Sequence, residues 1–297
     1  MVINTHAHIF RYPEHFNDEI VDIYVNSKAG LWWNPKGVEK REYMHVEVDD
    51  LIKDMDEGGV DKVFLMGHVW RPYDSETPLD WIGKIVRKHS DRFIGFHVAD
   101  PLGGVKATED LERAVSEYGF KGLKLFPAYN HIALNDKRMY PLFEKAQTLK
   151  IPVILHTGWC RVPKATMESQ RPTLLDEVGI DFPDLKVIMG HCGFQWAIEA
   201  LMLMKRHKNF YGDLAYWHIY PKYFVAQVFN FAKCHGVMDR VLWGTDFPHI
   251  SHSKAKQFYL DLMNYMVKNE MEPLLTEEDL KLFFGDAAWK MIQSCGK

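Results

Sequence analysis

The sequence predicts a (β/α)8 barrel, and three observations predict it. Eight short apolar runs recur along the chain, most at intervals of roughly 30 residues, the length of one βα repeat. The runs are nearly unalternated, as parallel strands covered on both faces are. Between them stand segments whose apolar residues repeat at helical spacing. An open doubly wound sheet fits the same alternation, but no Gly-x-Gly-x-x-Gly follows any strand, so its usual nucleotide role has no support.

The first strand begins at Val2 and ends near His6-Ala7-His8. Positions 10–45 are rich in aromatic and polar residues and lack periodicity. A stretch of that length without secondary structure is usually functional, and tryptophans argue against disorder, so it reads as a lid or a packed surface excursion. Val48, Leu51, Ile52 and Met55 mark a helix stopped by Gly58-Gly59, and a strand follows at 61–68. Trp81, Ile82, Ile85 and Val86 form the next helix face, before a strand at 92–98. Leu111, Ala114, Val115 and Tyr118 form another, ended by Gly119, before a strand at 121–126. Helix 140–149 leads to strand 152–158, the segment 174–178 to strand 186–193, helix 196–205 to strand 210–214, and helix 223–234 to strand 240–249. Helices at 256–267 and 277–292 close the chain. No linker or change of composition divides it, so residues 1–297 read as one domain with no N-terminal accessory domain.

Composition limits the partners. A net charge of -4 without a long basic run argues against an obligate nucleic-acid partner. No 18-residue apolar window and no signal-peptide pattern is present, which leads to the expectation of a cytoplasmic protein without a membrane partner. Cys160, Cys192, Cys234 and Cys295 are far apart and include no Cys-x-x-Cys, so neither a disulfide framework nor a zinc knuckle is expected.

Barrel enzymes build their sites at the C-terminal ends of the strands. His6, His8, Lys124, His156, His191 and Asp246 all fall there, on strands one, four, five, six and eight. His6 and His8 are two residues apart and share a strand face. His68 and His97 end strands two and three and are expected to face the same mouth, whereas His89, His207 and His235 fall on helices. Each residue alone has a bland reading. His156 or His191 would be a core histidine, Asp246 a helix cap, and Lys124 a lysine with its ammonium in solvent. Converging on one rim, they read as a site for a divalent metal, most simply zinc, with manganese or iron as alternatives. Such an ion activates a bound water, and Asp246 or His191 is placed to take and return its proton.

These residues resemble the amidohydrolase superfamily, specifically its amidohydrolase-2 branch. The likeness rests on His6-Ala7-His8, Gly119-Phe120-Lys121-Gly122-Leu123-Lys124, Leu155-His156, Gly190-His191-Cys192-Gly193, Gly244-Thr245-Asp246-Phe247-Pro248 and Gly285-Asp286-Ala287-Ala288. It implies a metal-containing barrel in which His6, His8, His156 and Asp246 hold one ion. His191 would stand beside the metal-bound water or ligate a second ion, and Asp246 would serve as ligand and proton shuttle. The branch contains hydrolases of ester, lactone or amide-like bonds and non-oxidative decarboxylases of aromatic or unsaturated acids. Its decarboxylases resemble Gly-Phe-x-Gly on strand four without the following lysine. Elsewhere in the superfamily a carboxylated strand-four lysine bridges two metals, so Lys124 places hydrolysis first and decarboxylation second. A barrel that keeps metal only for structure is the third reading.

The substrate is expected to be a small molecule, carboxylate-bearing or cyclic. Arg71, Arg161, Lys164 and Arg171 could clamp a carboxylate. Trp32, Trp33, Trp70, Trp159, Tyr129 and Trp217 could form aromatic walls. Cys192 should face away from the ligands, into the core. Relatives of this kind often form homodimers.

Overall fold

In the computed structural model the described residues are 1–26, 44–162 and 164–295. Residues 27–43 of the expected lid, Trp32 and Trp33 among them, lie outside these ranges. Eight parallel strands form one sheet in chain order: β1 (Ile3–His8), β2 (Lys62–Met66), β3 (Phe93–Val98), β4 (Gly122–Leu125), β5 (Val153–His156), β6 (Val187–Gly190), β7 (Phe210–Asp213) and β8 (Val241–Leu242). The apolar runs form strands because helices cover their outer face while their inner side chains fill the barrel, so almost every position is buried.

The barrel closes between the first and last strands. Thr5 N–H donates to Trp243 O at 2.9 Å, Asp246 N–H to His6 O at 2.9 Å and His8 N–H to Phe247 O at 2.8 Å. Ala7 and Phe247 pair in parallel beyond the end of β8. This seam sets His6 and His8 beside Asp246 although some 240 residues separate them in the chain.

Helices α2 (Val48–Gly58), α3 (Leu79–Lys88), α4 (Gly104–Tyr118), α5 (Tyr140–Thr148), α6 (Leu175–Asp181), α7 (Ala197–Arg206), α8 (Lys222–Cys234) and α9 (His252–Lys268) link and cover the strands. As expected, α2 and α4 end on glycines in the left-handed region, Gly59 at φ 60° and Gly119 at φ 74°.

Three features depart from the expectation. A helix, α1 (Asp18–Asn26), forms inside the stretch read as irregular. Val69–Trp70 and Ser75–Glu76 form a short antiparallel hairpin after β2. The single helix expected at 277–292 is divided at Leu282–Asp286, because Gly285 lies against the chain start, where an added Cβ would meet Met1 O at 2.2 Å. His89, His207 and His235 each stand one residue past a helix, at its C-terminal cap. Among the described residues, no helix is long and apolar enough to cross a membrane.

Candidate metal centre

The ends of β1, β6 and β8 bring His6, His8, His191 and Asp246 together. Each histidine has its Nδ1 engaged from behind. In His6 it donates to Asp213 Oδ2 at 2.9 Å, in His8 to Gly67 O at 3.1 Å, and in His191 to Ala215 O at 3.1 Å. That arrangement fixes one tautomer and leaves Nε2 with a lone pair, as in metal-ligating histidines. His8 Nε2 stands 3.3 Å and His6 Nε2 3.7 Å from Asp246 Oδ1. Donor atoms of His6, His191 and Asp246 all lie within 4.8 Å of one another. An N/O donor set of this kind fits a divalent transition metal.

His156 faces the same centre from β5, its ring 4.7 Å from that of His191. Its Nε2 is engaged by Trp159 O at 3.2 Å. The loops after β5 and β6 approach closely because Gly158, at φ 81°, lacks a Cβ that would meet Gly193 O at 2.6 Å.

The electrostatics favour neutral imidazoles around an ionised carboxylate. Burial lowers the pKa of His6, carries His156 well below the usual histidine range and takes His191 to about 4. Burial opposes the charge on Asp246, but the neighbouring His249, His8, His191 and His6 side chains outweigh it and hold the carboxyl well below its usual range. Lys124 is fully buried, with Nζ 3.2 Å from His6 Nε2 and 4.6 Å from the Phe126 ring centre. Burial lowers its pKa to about 8, against the pull of Asp213 and Asp246. The expectation of an ammonium in solvent therefore does not hold, since β4 directs this side chain into the barrel.

The centre forms the floor of a cavity of about 640 Å³, open mouth included, whose walls include Trp70, Phe126, Tyr129, Trp159, Phe194 and Tyr216. Arg161 also lines it, with Nη2 donating to Tyr216 Oη at 2.9 Å. Trp70, Trp159, Tyr129 and Arg161 thus line one cavity.

Other expected contacts fall elsewhere. Arg71 is held between Glu76 at 2.8 Å and Asp100 at 2.9 Å, in a separate polar cleft outside the barrel mouth. His97 lines that cleft too, because its position on β3 turns it away from the barrel axis toward α4. Arg171 pairs with Glu168 and Glu199, and Lys164 is exposed. Trp217 is fully buried and donates its Nε1–H to His191 O at 2.9 Å, bracing the His191 loop instead of lining the cavity. His68 reaches the cavity wall, but both its nitrogens are occupied by Thr77, Ser75 and His15 O. Cys192 is buried, as expected.

Sequence reasoning missed Asp213 and His249. Asp213 is fully buried on β7; Oδ2 accepts from His6 and Oδ1 from His191 N–H at 2.9 Å and Ala215 N–H at 3.1 Å. An aspartate at the C-terminal end of a buried strand was a usable signal for it. His249 lines the cavity with Nε2 3.7 Å from Asp246 Oδ2, and His249 lies in the strand-eight segment only three residues past Asp246.

The chain is similar to solved structures over nearly its whole length. The chain superposes over 100% of its length on 99% of an uncharacterised TIM-barrel protein from Bordetella bronchiseptica, at 18% identity and a TM-score of 0.78. It covers 96% of a dihydroxybenzoic acid decarboxylase from Polaromonas sp. JS666, solved with bound manganese and the inhibitor 2-nitroresorcinol, over 98% of its own length (18% identity, TM-score 0.67). It also covers 99% of a probable 2-pyrone-4,6-dicarboxylic acid hydrolase from Acinetobacter baumannii, solved with citric acid, over 98% of its own length (16% identity, TM-score 0.64). At these identities the likeness establishes the fold. The amidohydrolase family model, of the amidohydrolase-2 type, matches residues 3–292, and the chain belongs to that family.

Proposed function

We propose that this protein is a metal-dependent, non-oxidative decarboxylase of a small planar aromatic or unsaturated carboxylic acid. The observation that carries the reading is the cavity: ligand-type side chains form its floor, aromatic rings its walls, and Arg161 supplies a cation. Such a space accepts one flat ring with one anionic group. The decarboxylase from Polaromonas, of the same fold and bound to manganese and a nitroresorcinol, adds support.

His6, His8 and Asp246 would hold the ion, with His156 and His191 closing the same sphere from the β5 and β6 side. When bound, a divalent ion would supply positive charge that orients the substrate's oxygens. Arg161, braced by the Tyr216 hydroxyl, binds an anionic oxygen of the substrate. Trp70, Tyr129 and Phe126 flank the ring and exclude water. The reaction joins one proton to the ring carbon and breaks its bond to the carboxylate, which leaves as CO2. Asp246 Oδ2 delivers that proton, and its depressed pKa makes the protonated form scarce but strongly acidic. His249 Nε2 lies 3.7 Å from Asp246 Oδ2 and burial lowers its pKa to about 3, so it faces the carboxylate as a neutral imidazole.

Hydrolysis, which the sequence placed first, is the second reading, and Lys124 favours it. With a pKa near 8 the lysine is partly a neutral amine, the form that takes up CO2 as a carbamate. The test is to incubate Mn2+- or Zn2+-loaded protein with hydroxybenzoate-type acids and with lactones and esters. CO2 release without hydrolysis is the expected result. Hydrolysis of a lactone or ester without CO2 release overturns the first reading in favour of the second.

A further inference from the structure

Behind the centre, on the side away from the cavity, runs a chain of buried polar groups that the proposed chemistry does not use. Asn4, Thr245 and His252 are all fully buried. Asn4 lies on β1 two residues before His6, Thr245 immediately precedes Asp246, and His252 opens α9. Asn4 Oδ1 accepts the backbone N–H of His6 at 2.9 Å and that of Thr245 at 3.0 Å. Its Nδ2 donates to Thr245 Oγ1 at 2.8 Å and to His252 Nε2 at 2.8 Å. The two backbone donors fix which end of the amide is oxygen, and Asn4 then makes four hydrogen bonds, its full capacity.

His252 is oriented in turn by Asp54 on α2. The carboxylate accepts from the His252 backbone N–H at 2.9 Å and from its Nδ1–H. That bond selects the tautomer in which Nε2 is the acceptor Asn4 requires. The His252 ring also stacks on Phe247, at 5.5 Å between centroids and 23° between planes. Phe247 N–H donates to Thr245 Oγ1 at 3.0 Å. The residues on both sides of Asp246 are therefore tied to this network.

This arrangement meets a local need. β8 is only two residues long, and Asp246 lies beyond it in the left-handed region at φ 62°, which few residues other than glycine, asparagine and aspartate adopt. Surrounding structure must hold such a conformation. We propose that Asp54, His252 and Asn4 form a positioning relay that sets the backbone of Asp246 relative to His6, and so the metal affinity of the centre. The inference rests on the reading of His6 and Asp246 as ligands. Asp54 is the most distant member and touches no ligand, so its substitution reports on the relay alone.

The test compares metal-stripped wild type, Asp54→Ala, Asp54→Asn and His252→Ala, titrated with Mn2+ alone by calorimetry, with folding checked by circular dichroism. A destabilised control such as Phe229→Leu, buried on α8 against Tyr259 and Phe283, is carried in parallel. Asp54→Ala and His252→Ala should lose about 10- to 100-fold in Mn2+ affinity. Asp54→Asn, which keeps an acceptor for His252, should recover most of it, and the control should bind as wild type does. Should His252→Ala fail to fold, the Asp54 pair decides. Wild-type affinity in folded Asp54→Ala, or an equal loss in the control, overturns the relay while leaving the metal site standing. If wild type itself binds no Mn2+, the metal reading fails and the relay with it.

Discussion

The two halves of the barrel mouth carry similar sequence signals and behave differently. After β2 and β3 the chain places His68, Arg71 and His97; after β6, β7 and β8, with β1 alongside, it places His191, Asp213 and Asp246. In the first half the polar groups satisfy one another or turn away. Ser75, Thr77 and His15 O occupy His68, Glu76 and Asp100 hold Arg71, and His97 faces α4. In the second half Nδ1 of each ring is held from the rear, so Nε2 atoms and a carboxylate converge at the front, where Lys124 Nζ also comes within 3.2 Å of His6 Nε2. The backbone differs in the same sense. His191, Cys192, Phe194, Tyr216 and Asp246 all take positive φ values between 45° and 67°. Strain gathered in this way marks the half that must hold a fixed constellation. Position at a strand end is therefore not enough to define a site; what matters is which atom the neighbours leave unused.

Substitutions should separate the halves, beginning with the largest effect. Asp246→Asn should reduce turnover by roughly 10²- to 10⁴-fold, and Asp246→Ala should also lose the metal while remaining folded; elemental analysis and circular dichroism check both. Asp213→Ala frees His6 Nδ1 and should weaken Mn2+ binding about 10- to 100-fold by titration. Arg161→Ala removes a charged contact worth about 1.5–3 kcal/mol, so KM should rise roughly 10- to 100-fold with a smaller change in kcat.

Effects in the other half should appear in stability and not in turnover. Burial lowers the His97 pKa to about 4. The folded state keeps this imidazole neutral while the unfolded chain takes up a proton, so its contribution is complete above about pH 6.5 and is lost as pH falls through about 4. His97→Leu should therefore show a shallower fall in Tm between those pH values than wild type. Arg71→Ala should change stability by no more than about 1 kcal/mol, because Arg71 itself and Glu76 are half exposed, and should leave kcat/KM unchanged.

The barrel was legible because its signal is redundant. Each of the eight apolar runs became a strand of the sheet, and the glycines after α2 and α4 ended those helices. The ligand-type residues were legible because strand ends and alternate positions are one-dimensional facts, as in His6-Ala7-His8. What the sequence could not show is partner accounting. Arg71 and Arg161 look alike as letters, yet two carboxylates hold the first outside the mouth and the second lines the cavity. Asp213 was passed over because its role depends on His6, 207 residues away in the chain. The division of the last helix was hidden for the same reason, since it depends on Met1 lying against Gly285.

The central claim is that one half of the mouth holds a divalent ion and the other does not. Anomalous diffraction at the manganese edge, from crystals of the full chain grown with Mn2+, tests it directly. The account predicts Mn2+ among the Nε2 atoms of His6 and His8 and the carboxylate of Asp246, and no peak in the cleft of Arg71 and His97. A peak in that cleft, or none at the β1–β8 seam, would contradict it.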